Sequence, residues 1–147
     1  MKAPDVDYPV PFDGYRERTE GLFYGMPFVN YLGIKIIEFG PGWLDCQIEN
    51  RIEIQQQNGY VHAGVIATMA DMSAGIAGAT LVDETRNPLS VGFNIALLRP
   101  ALGERIIARG RVVKRGKQIN LAESWIYGVT GESEKLVARG YLTMTAV

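Results

Sequence analysis

The sequence predicts an α+β domain in which one long central helix is wrapped by a curved antiparallel β-sheet. Two β-like runs come first, a helical segment follows over 63–81, and four further β-rich runs complete the chain. This order supplies one helix and one sheet, and each must bury its apolar side against the other. The length of 147 residues is enough for one domain with a substantial core.

The N-terminal part of the chain is predicted to contain short helices rather than strands. Residues 1–13 are rich in proline and predict irregular structure. Apolar side chains are spaced among charges over 14–25, which indicates a short amphipathic helix, and a second helical turn is predicted over 27–32. We expect residues 1–26 to be an N-terminal extension and residues 27–147 to form the domain itself.

Strand-like patterns flank the central segment. The runs 34–39 and 43–49 lie on either side of Gly40-Pro41-Gly42, a turn sequence, and therefore predict a hairpin. The later β-rich runs cover 89–98, 105–113, 119–128 and 136–145. Proline and glycine separate these runs, which is typical of consecutive antiparallel strands.

The segment 63–81 predicts a helix that is buried on nearly all sides. It contains six alanines and three glycines, no proline, and a single charge at Asp71. One stripe of this helix carries the larger side chains and is predicted to face the core: Val65, Met69, Met72, Ile76 and Thr80. The face around Asp71 is predicted to carry small residues: Ala67, Ala74, Gly75 and Gly78. A ligand or a second backbone is expected to approach this face most closely.

Asp71 is the first candidate catalytic residue because burying a carboxylate without a partner is unfavourable. A carboxylate in an apolar site is suited to act as a general base or a nucleophile. The alternative is a structural ion pair with a buried arginine. His62 immediately precedes the helix, and the first free N–H groups there suit the stabilisation of an oxyanion.

The spacing between these groups predicts a site shared by two subunits. Ala63 and Asp71 are eight residues apart, which on a helix is about 12 Å along the axis and about 80° around it. One carbonyl group cannot contact both within a single helix. Two antiparallel helices related by a two-fold axis would place one subunit's helix start beside the other subunit's Asp71.

The run 56–65 (QQNGYVHAGV) is followed by Asp71, nine residues after His62. This pattern resembles the signature of the phenylacetate-degradation (PaaI-type) family of hotdog-fold acyl-CoA thioesterases. Further matches are Ser90, Asn94, Arg99-Pro100 and Lys114-Arg115-Gly116-Lys117. The chain differs from the family pattern in having Ala63 where the family has glycine, and Gln56 where many members have asparagine.

This resemblance implies a hotdog fold, thioester hydrolysis and a role for each matching residue. Asp71 would be the base or nucleophile, and the Ala63 N–H would polarise the thioester carbonyl. Gln56 would bind near the attacking water or the thioester, Ser90 would orient water beside Asp71, and His62 would mainly shape the loop. The expected partners are an acyl-CoA substrate and a second subunit, with a dimer of dimers as a further possibility.

A run of basic residues is predicted to bind the phosphates of coenzyme A. Six positive charges and no acid occur over 105–117, although the net charge of the chain is −1. The candidate ligands are Arg109, Arg111, Lys114, Arg115 and Lys117. The alternative is a solvated sheet face. The overall charge and the lack of interleaved aromatic residues predict no nucleic-acid or membrane partner.

Metal and cofactor chemistry is not expected. Cys46 is the only cysteine and His62 the only histidine, so the chain has no recognisable zinc-ligand set. Cys46 is expected to be an inert core residue. The start of the chain lacks the pattern of a signal peptide, and we therefore expect a cytoplasmic protein. We also expect no cofactor.

Three other functions remain open at the level of the sequence. Ser73 lies in a weak match to a serine-hydrolase motif, although it is placed in the middle of a helix. A hotdog-fold hydratase or dehydratase and a non-catalytic acyl-CoA-binding protein are the other two. The acyl group is not identified, since the aromatic residues Tyr60, Phe93, Trp125 and Tyr127 suit either a pocket or a core.

Overall fold

The computed structural model describes residues 1–147 and contains every predicted helix and strand. The helices are α1 (Tyr15–Tyr24), α2 (Pro27–Leu32) and α3 (Ala63–Ala79), with one 3-10 turn at Ile52–Ile54. The strands are β1 (Lys35–Gly40), β2 (Trp43–Glu49), β3 (Pro88–Leu97), β4 (Arg105–Lys114), β5 (Ile119–Thr130) and β6 (Ser133–Ala146). The predicted bounds agree with these to within a few residues.

The six strands form one antiparallel sheet, and α3 lies across its inner face. The strand order is β1-β2-β4-β5-β6-β3, so β2 and β4 are neighbours although α3 and β3 separate them in the sequence. Helix α3 contacts all strands from β2 to β6. The predicted α+β architecture, a long helix wrapped by an antiparallel sheet, is therefore confirmed.

Glycines in the sheet allow α3 to lie directly on it. A Cβ atom added at Gly110 of β4 would lie 1.9 Å from the Ser73 carbonyl oxygen of α3. One added at Gly140 of β6 would lie 2.9 Å from the Ala70 Cβ. Any larger side chain at these two positions would push the helix away from the sheet, and the position of Asp71 on α3 depends on this contact.

The predicted core stripe of α3 is confirmed, but its small-residue face is only partly correct. Val65, Met69, Met72, Ile76 and Thr80 are all buried. Of the predicted small-residue face, Ala74 and Gly78 are buried against other elements, so this part of the face is closed to a ligand. Met144 of β6 covers this end of the helix, and a Cβ at Gly78 would lie 1.9 Å from its sulfur. None of the three helices combines the length and apolarity needed to cross a bilayer.

The outer face of the sheet is covered by the first residues of the chain. The Met1 carbonyl accepts a hydrogen bond of 3.0 Å from the Tyr127 hydroxyl. The Pro4 carbonyl accepts one of 3.0 Å from the Arg111 Nε. Residues 1–13 are irregular, as predicted. Their fixed path across this face was not predicted. Trp125 and Tyr127 lie beneath this segment in a small outer cluster, so the interpretation of these two as pocket residues is wrong.

Candidate active site

Asp71 lies in the middle of α3, half-buried, and has a hydroxyl partner rather than a cationic one. Its Oδ1 accepts a hydrogen bond of 2.8 Å from the Ser90 Oγ of β3. None of the ion pairs of the chain includes Asp71. The alternative that Asp71 pairs with a buried arginine is therefore wrong, since no cationic side chain of the chain lies within ion-pair distance of this carboxylate.

A cavity of about 220 Å³ opens beside this carboxylate. Asp71, Ser90 and Asn87 are polar residues of its wall. The apolar part of the wall consists of Leu22, Met26, Met72, Ile76, Pro88 and Met144. Gly75 keeps the space next to the carboxylate open, because a Cβ there would lie 3.9 Å from the Asp71 Oδ1. The carboxylate thus lies at the wall of an apolar chamber large enough for part of a ligand.

The start of α3 presents a free backbone donor. His62 is the N-cap residue, and its Nδ1 accepts a hydrogen bond of 2.9 Å from the Gly64 N–H. The Ala63 N–H has no acceptor among the hydrogen bonds of the chain, and Ala63 is exposed. His62 thereby fixes the helix terminus, and the positive end of the helix leaves one N–H group available to an anion or a carbonyl.

Gln56 lies in a tight loop that precedes this helix. Its backbone N–H donates to the Tyr60 carbonyl over 2.8 Å, and its carbonyl accepts from Gly59 over 3.0 Å. Gly59 has a φ of +80°, which this turn requires and which a residue with a side chain adopts only with strain. The side-chain Oε1 of Gln56 accepts from the Asn58 N–H. The loop therefore holds Gln56 in a defined place near the start of α3.

Residues of this loop line a second cavity, of about 390 Å³. Gln56 and Ala63 lie in its wall together with the apolar residues Tyr60, Val61, Ile66, Leu97, Leu98, Pro100, Ala101 and Val137. Within one chain, the structure brings Asp71 close to Ser90 and Gln56 close to Ala63. It does not bring these two pairs into one cavity.

The predicted one-sign basic face does not exist on β4. Arg109 forms two hydrogen bonds with Glu134, of 2.6 and 2.7 Å, and Arg111 forms one of 2.6 Å with Asp45. Asp45 comes from the adjacent strand β2 and Glu134 from β6, two strands away, and the face therefore carries both signs. Hydrogen bonds from Arg109 lower the pKa of the Glu134 carboxyl, and Glu134 in turn raises the pKa of Arg109. The phosphate role of Arg109 and Arg111 stays a prediction, and both have carboxylate partners.

Of the other predicted basic residues, Lys114 ends β4, and Arg115 and Lys117 lie in the turn between β4 and β5. Lys114, Arg115 and Lys117 are exposed and form no ion pair. Arg115 and Lys117 line a cavity of about 280 Å³ together with Arg86, beyond the end of α3. Arg86 was missed by sequence reasoning because it stands alone in the loop before β3. These residues form a local positive cluster, although Arg86 also pairs with Asp83 at 2.7 Å.

Two other reactive side chains are inert where they lie. Ser73 is fully buried, and its hydroxyl lies 2.6 Å from that of Ser124. The weak serine-hydrolase match therefore places no nucleophile at a surface. Cys46 is also fully buried, as expected, and burial raises the pKa of its thiol. No group of three or more His, Cys, Asp or Glu side chains is arranged to hold a metal ion.

The long helix on a six-stranded antiparallel sheet is the arrangement of a hotdog fold, and comparison with known proteins identifies the family. Residues 58–122 match the model of the thioesterase superfamily. Human acyl-coenzyme A thioesterase 13 is 31% identical over 128 residues, which cover 85% of this chain and 89% of the human protein. A medium/long-chain acyl-CoA thioesterase of Escherichia coli is 28% identical over 118 residues, covering 70% of this chain and 76% of that protein.

A solved structure agrees with the sequence relatives. A thioesterase family protein from Silicibacter pomeroyi superposes with a TM-score of 0.89 at 30% identity. The match covers 91% of this chain and 98% of that one. The chain therefore belongs to the thioesterase superfamily, as a hotdog-fold enzyme of the thioester hydrolase class.

Proposed function

We propose that the chain hydrolyses acyl-CoA thioesters to the free acid and coenzyme A, at a site shared between two subunits of a homodimer. The observation that carries this proposal is the Asp71 carboxylate, which has no cationic partner and lies in the wall of an apolar cavity. The names of the human and Escherichia coli relatives support acyl-CoA as the substrate.

The free edge of β3 supports the dimer. β3 is the outermost strand on its side of the sheet, and most of its residues are exposed in the single chain. Leu89, Val91, Phe93 and Leu97 are each about half exposed. An exposed apolar edge of ten residues is a strong template for strand pairing. Pairing of β3 with its copy about a two-fold axis would give one continuous sheet of both subunits.

The opposite edge of the sheet is protected and does not suit this pairing. β1 has only six residues, and a register shift between Ile36 and Glu38 bends it. Glu38 there forms an ion pair with Arg16 of α1 at 2.9 Å. Short length, a bulge and charge are the usual means by which an edge strand avoids a partner. The asymmetry between the edges favours β3 as the dimer contact.

The dimer would complete the catalytic group. In this arrangement the Ala63 N–H and the Gln56 side chain of one subunit face Asp71 of the other. The carboxylate takes a proton from water, and the water oxygen attacks the thioester carbonyl carbon. The free N–H at the helix start donates to the developing oxyanion. Collapse of the tetrahedral intermediate breaks the C–S bond. The departing thiolate of coenzyme A takes the proton from Asp71, which regenerates the carboxylate.

The coenzyme A phosphates are proposed to lie at the positive cluster beyond α3. Arg115 and Lys117 are exposed, lack carboxylate partners and share a cavity with Arg86. Arg109 and Arg111 are less suited because Glu134 and Asp45 already neutralise them. A phosphate competes poorly for a guanidinium that is held by a carboxylate with two hydrogen bonds.

The test is the release of free thiol from a panel of acyl-CoAs that includes acetyl, octanoyl, palmitoyl and phenylacetyl thioesters. We expect release from at least one of these by the wild-type chain. Tight binding of the panel with no thiol release would instead indicate an acyl-CoA-binding protein. Addition of water to an enoyl-CoA, without thiol release, would indicate a hydratase.

A further inference from the structure

We propose that α1 and α2 set the acyl-chain length of the substrate, with Leu22 and Met26 forming the end wall of a chamber for a straight chain of about six to eight carbons. This inference rests on the proposed function, because it takes the cavity beside Asp71 as the place of the acyl group. Leu22 belongs to α1, and Met26 is the residue that precedes α2. Both side chains are partly buried and line this cavity.

The cavity is continuous with the catalytic pair and runs along α3. Its wall includes Asp71, Met72, Gly75 and Ile76 of the helix. Asp71 and Ile76 are separated by five steps of the helix, which correspond to about 7.5 Å at 1.5 Å per residue. The wall formed by the start of β3, from Ser90 back to Pro88, spans about 7 Å in the same way.

The length of this cavity limits the length of the acyl chain that it can hold. A fully extended chain advances about 1.2 Å per bond, so about six bonds fit between the carboxylate and the far end. The wall beyond Asp71 and Ser90 is mainly apolar, with Asn87 as its other polar residue. An alkyl chain is the ligand whose burial such a wall favours.

The methionines favour a flexible chain over a rigid ring. Met26, Met72 and Met144 all line the cavity. Methionine side chains are unbranched and adapt to irregular shapes, so they suit an alkyl chain with several conformations. No aromatic side chain lines this cavity, so a ring would find no stacking partner there.

Leu22 and Met26 are the large apolar residues of this wall that are only partly buried, and they pack against the main core from its N-terminal side. Helix α1 packs against α3 from outside the sheet. Met72 and Met144, by contrast, belong to the core of the domain. Replacing Leu22 or Met26 therefore changes the depth of the chamber while the Asp71–Ser90 pair stays in place.

The experiment measures kcat/KM for straight-chain acyl-CoAs from butanoyl to dodecanoyl, and for phenylacetyl-CoA. We expect a wild-type optimum between hexanoyl and octanoyl. Met26→Ala and Leu22→Ala should each raise the decanoyl-to-hexanoyl ratio by about tenfold, since each newly buried methylene is worth about fourfold. Met26→Trp should lower the octanoyl-to-butanoyl ratio of kcat/KM by about tenfold, since the larger side chain shortens the chamber.

The control is Phe28→Ala, since Phe28 lies on α2 with an exposed side chain outside the cavity. It should leave the profile unchanged. An unchanged profile in active Met26→Ala, Leu22→Ala and Met26→Trp would overturn the inference, as would a wild-type preference for phenylacetyl-CoA. Calorimetry with non-hydrolysable S-alkyl-CoA thioethers separates the two proposals. A shift of thioether chain-length preference without any thioester hydrolysis would support the chamber and refute the hydrolase.

Discussion

The two faces of the sheet differ in the partners that their charged side chains have. On the outer face, Arg111 is only 8% exposed, yet it contacts Asp45, the Pro4 carbonyl and the Gly110 carbonyl. On the inner face, Asp71 has one neutral hydroxyl partner and no cation. A fully satisfied charge serves structure, whereas an uncompensated carboxylate in an apolar wall is available to take a proton or attack a carbon. We propose that this contrast separates residues that hold the fold from those that perform the proposed chemistry.

The sharpest way to test this contrast is to neutralise one aspartate on each face. Asp71→Asn should lower kcat for acyl-CoA hydrolysis by about 100-fold or more, because the base is lost. It should not lower the free energy of unfolding, since functional carboxylates rarely add stability. Asp45→Asn should do the reverse, with kcat within about threefold of wild type and a loss of about 1–3 kcal/mol, because Arg111 loses its counter-charge.

Thiol release and chemical denaturation of the same two variants provide both measurements. Equal losses of activity in Asp71→Asn and Asp45→Asn, after correction for the folded fraction, would remove the distinction between the faces. Activity of Asp71→Asn within a few-fold of wild type would exclude Asp71 from the mechanism.

A second prediction concerns the two cavities of the inner face, which hold Asp71 and Gln56 separately. If the dimer joins them, Asp71→Asn and Gln56→Ala subunits mixed in equal amounts should form mixed dimers in which one site carries both lesions and the other none. Random pairing makes half the dimers mixed, so about 25% of wild-type activity should return.

The measurement requires re-pairing by co-expression or co-refolding, and Gln56→Ala must be severely impaired by itself. Wild type carried through the same protocol is the control. If wild type recovers and the mixture stays as inactive as either parent, the catalytic groups must converge within one chain.

A third prediction compares the exposed lysines at the two ends of the molecule. Lys117→Glu should raise KM for acyl-CoA by several-fold with little change in kcat, because a negative charge enters the positive cluster near Arg86. Lys35→Glu, an equally exposed change on β1, should leave KM unchanged. A truncated acyl-pantetheine substrate, which lacks the nucleotide phosphates, should be insensitive to both. Equal KM effects on the full and truncated substrates would remove the phosphate role from Lys117.

The smallest expected effect is a pH-dependent one on the outer face. Arg109 holds the pKa of Glu134 below its ordinary value of 4.5, so the pair stabilises the fold above that pH. The contribution fades as the pH falls through the lowered pKa and Glu134 gains a proton. Glu134→Gln should therefore cost about 0.5–1 kcal/mol at neutral pH, as for a partly exposed pair, and nothing at strongly acidic pH. A difference that persists unchanged into acid would contradict this assignment.

Local sequence patterns were sufficient to predict the helices and strands and to single out the Asp71 carboxylate. Helix α3 was predicted because alanine favours helix and one stripe is continuously apolar, and Asp71 was noticeable as its only charge. Glycine and proline marked the turns between strands. The free N–H at Ala63 followed from its place after the N-cap.

Patterns along the chain were insufficient wherever the partner comes from a distant strand. The acids Asp45 and Glu134 lie outside the basic run, so the run alone suggested a face of one sign. Trp125 and Tyr127 looked equally suited to a pocket because nothing local indicates which side of a strand the N-terminal segment will cover. The contact of Gly78 with Met144 was not predicted, because the position of Met144 depends on the pairing of β6.

The sequence by itself determined the order and type of the elements, the isolation of Asp71 and the eight-residue offset that makes a single-helix site impossible. Only the tertiary structure decided that Ser90 meets Asp71 across 19 positions, that Arg111 meets Asp45 across 66, and that Leu22 and Met26 reach the cavity beside Asp71. Helix propensity and side-chain alternation act within a few residues. Strand register and the close seating of α3 on Gly110 and Gly140 depend on packing between distant segments, which a local pattern does not specify.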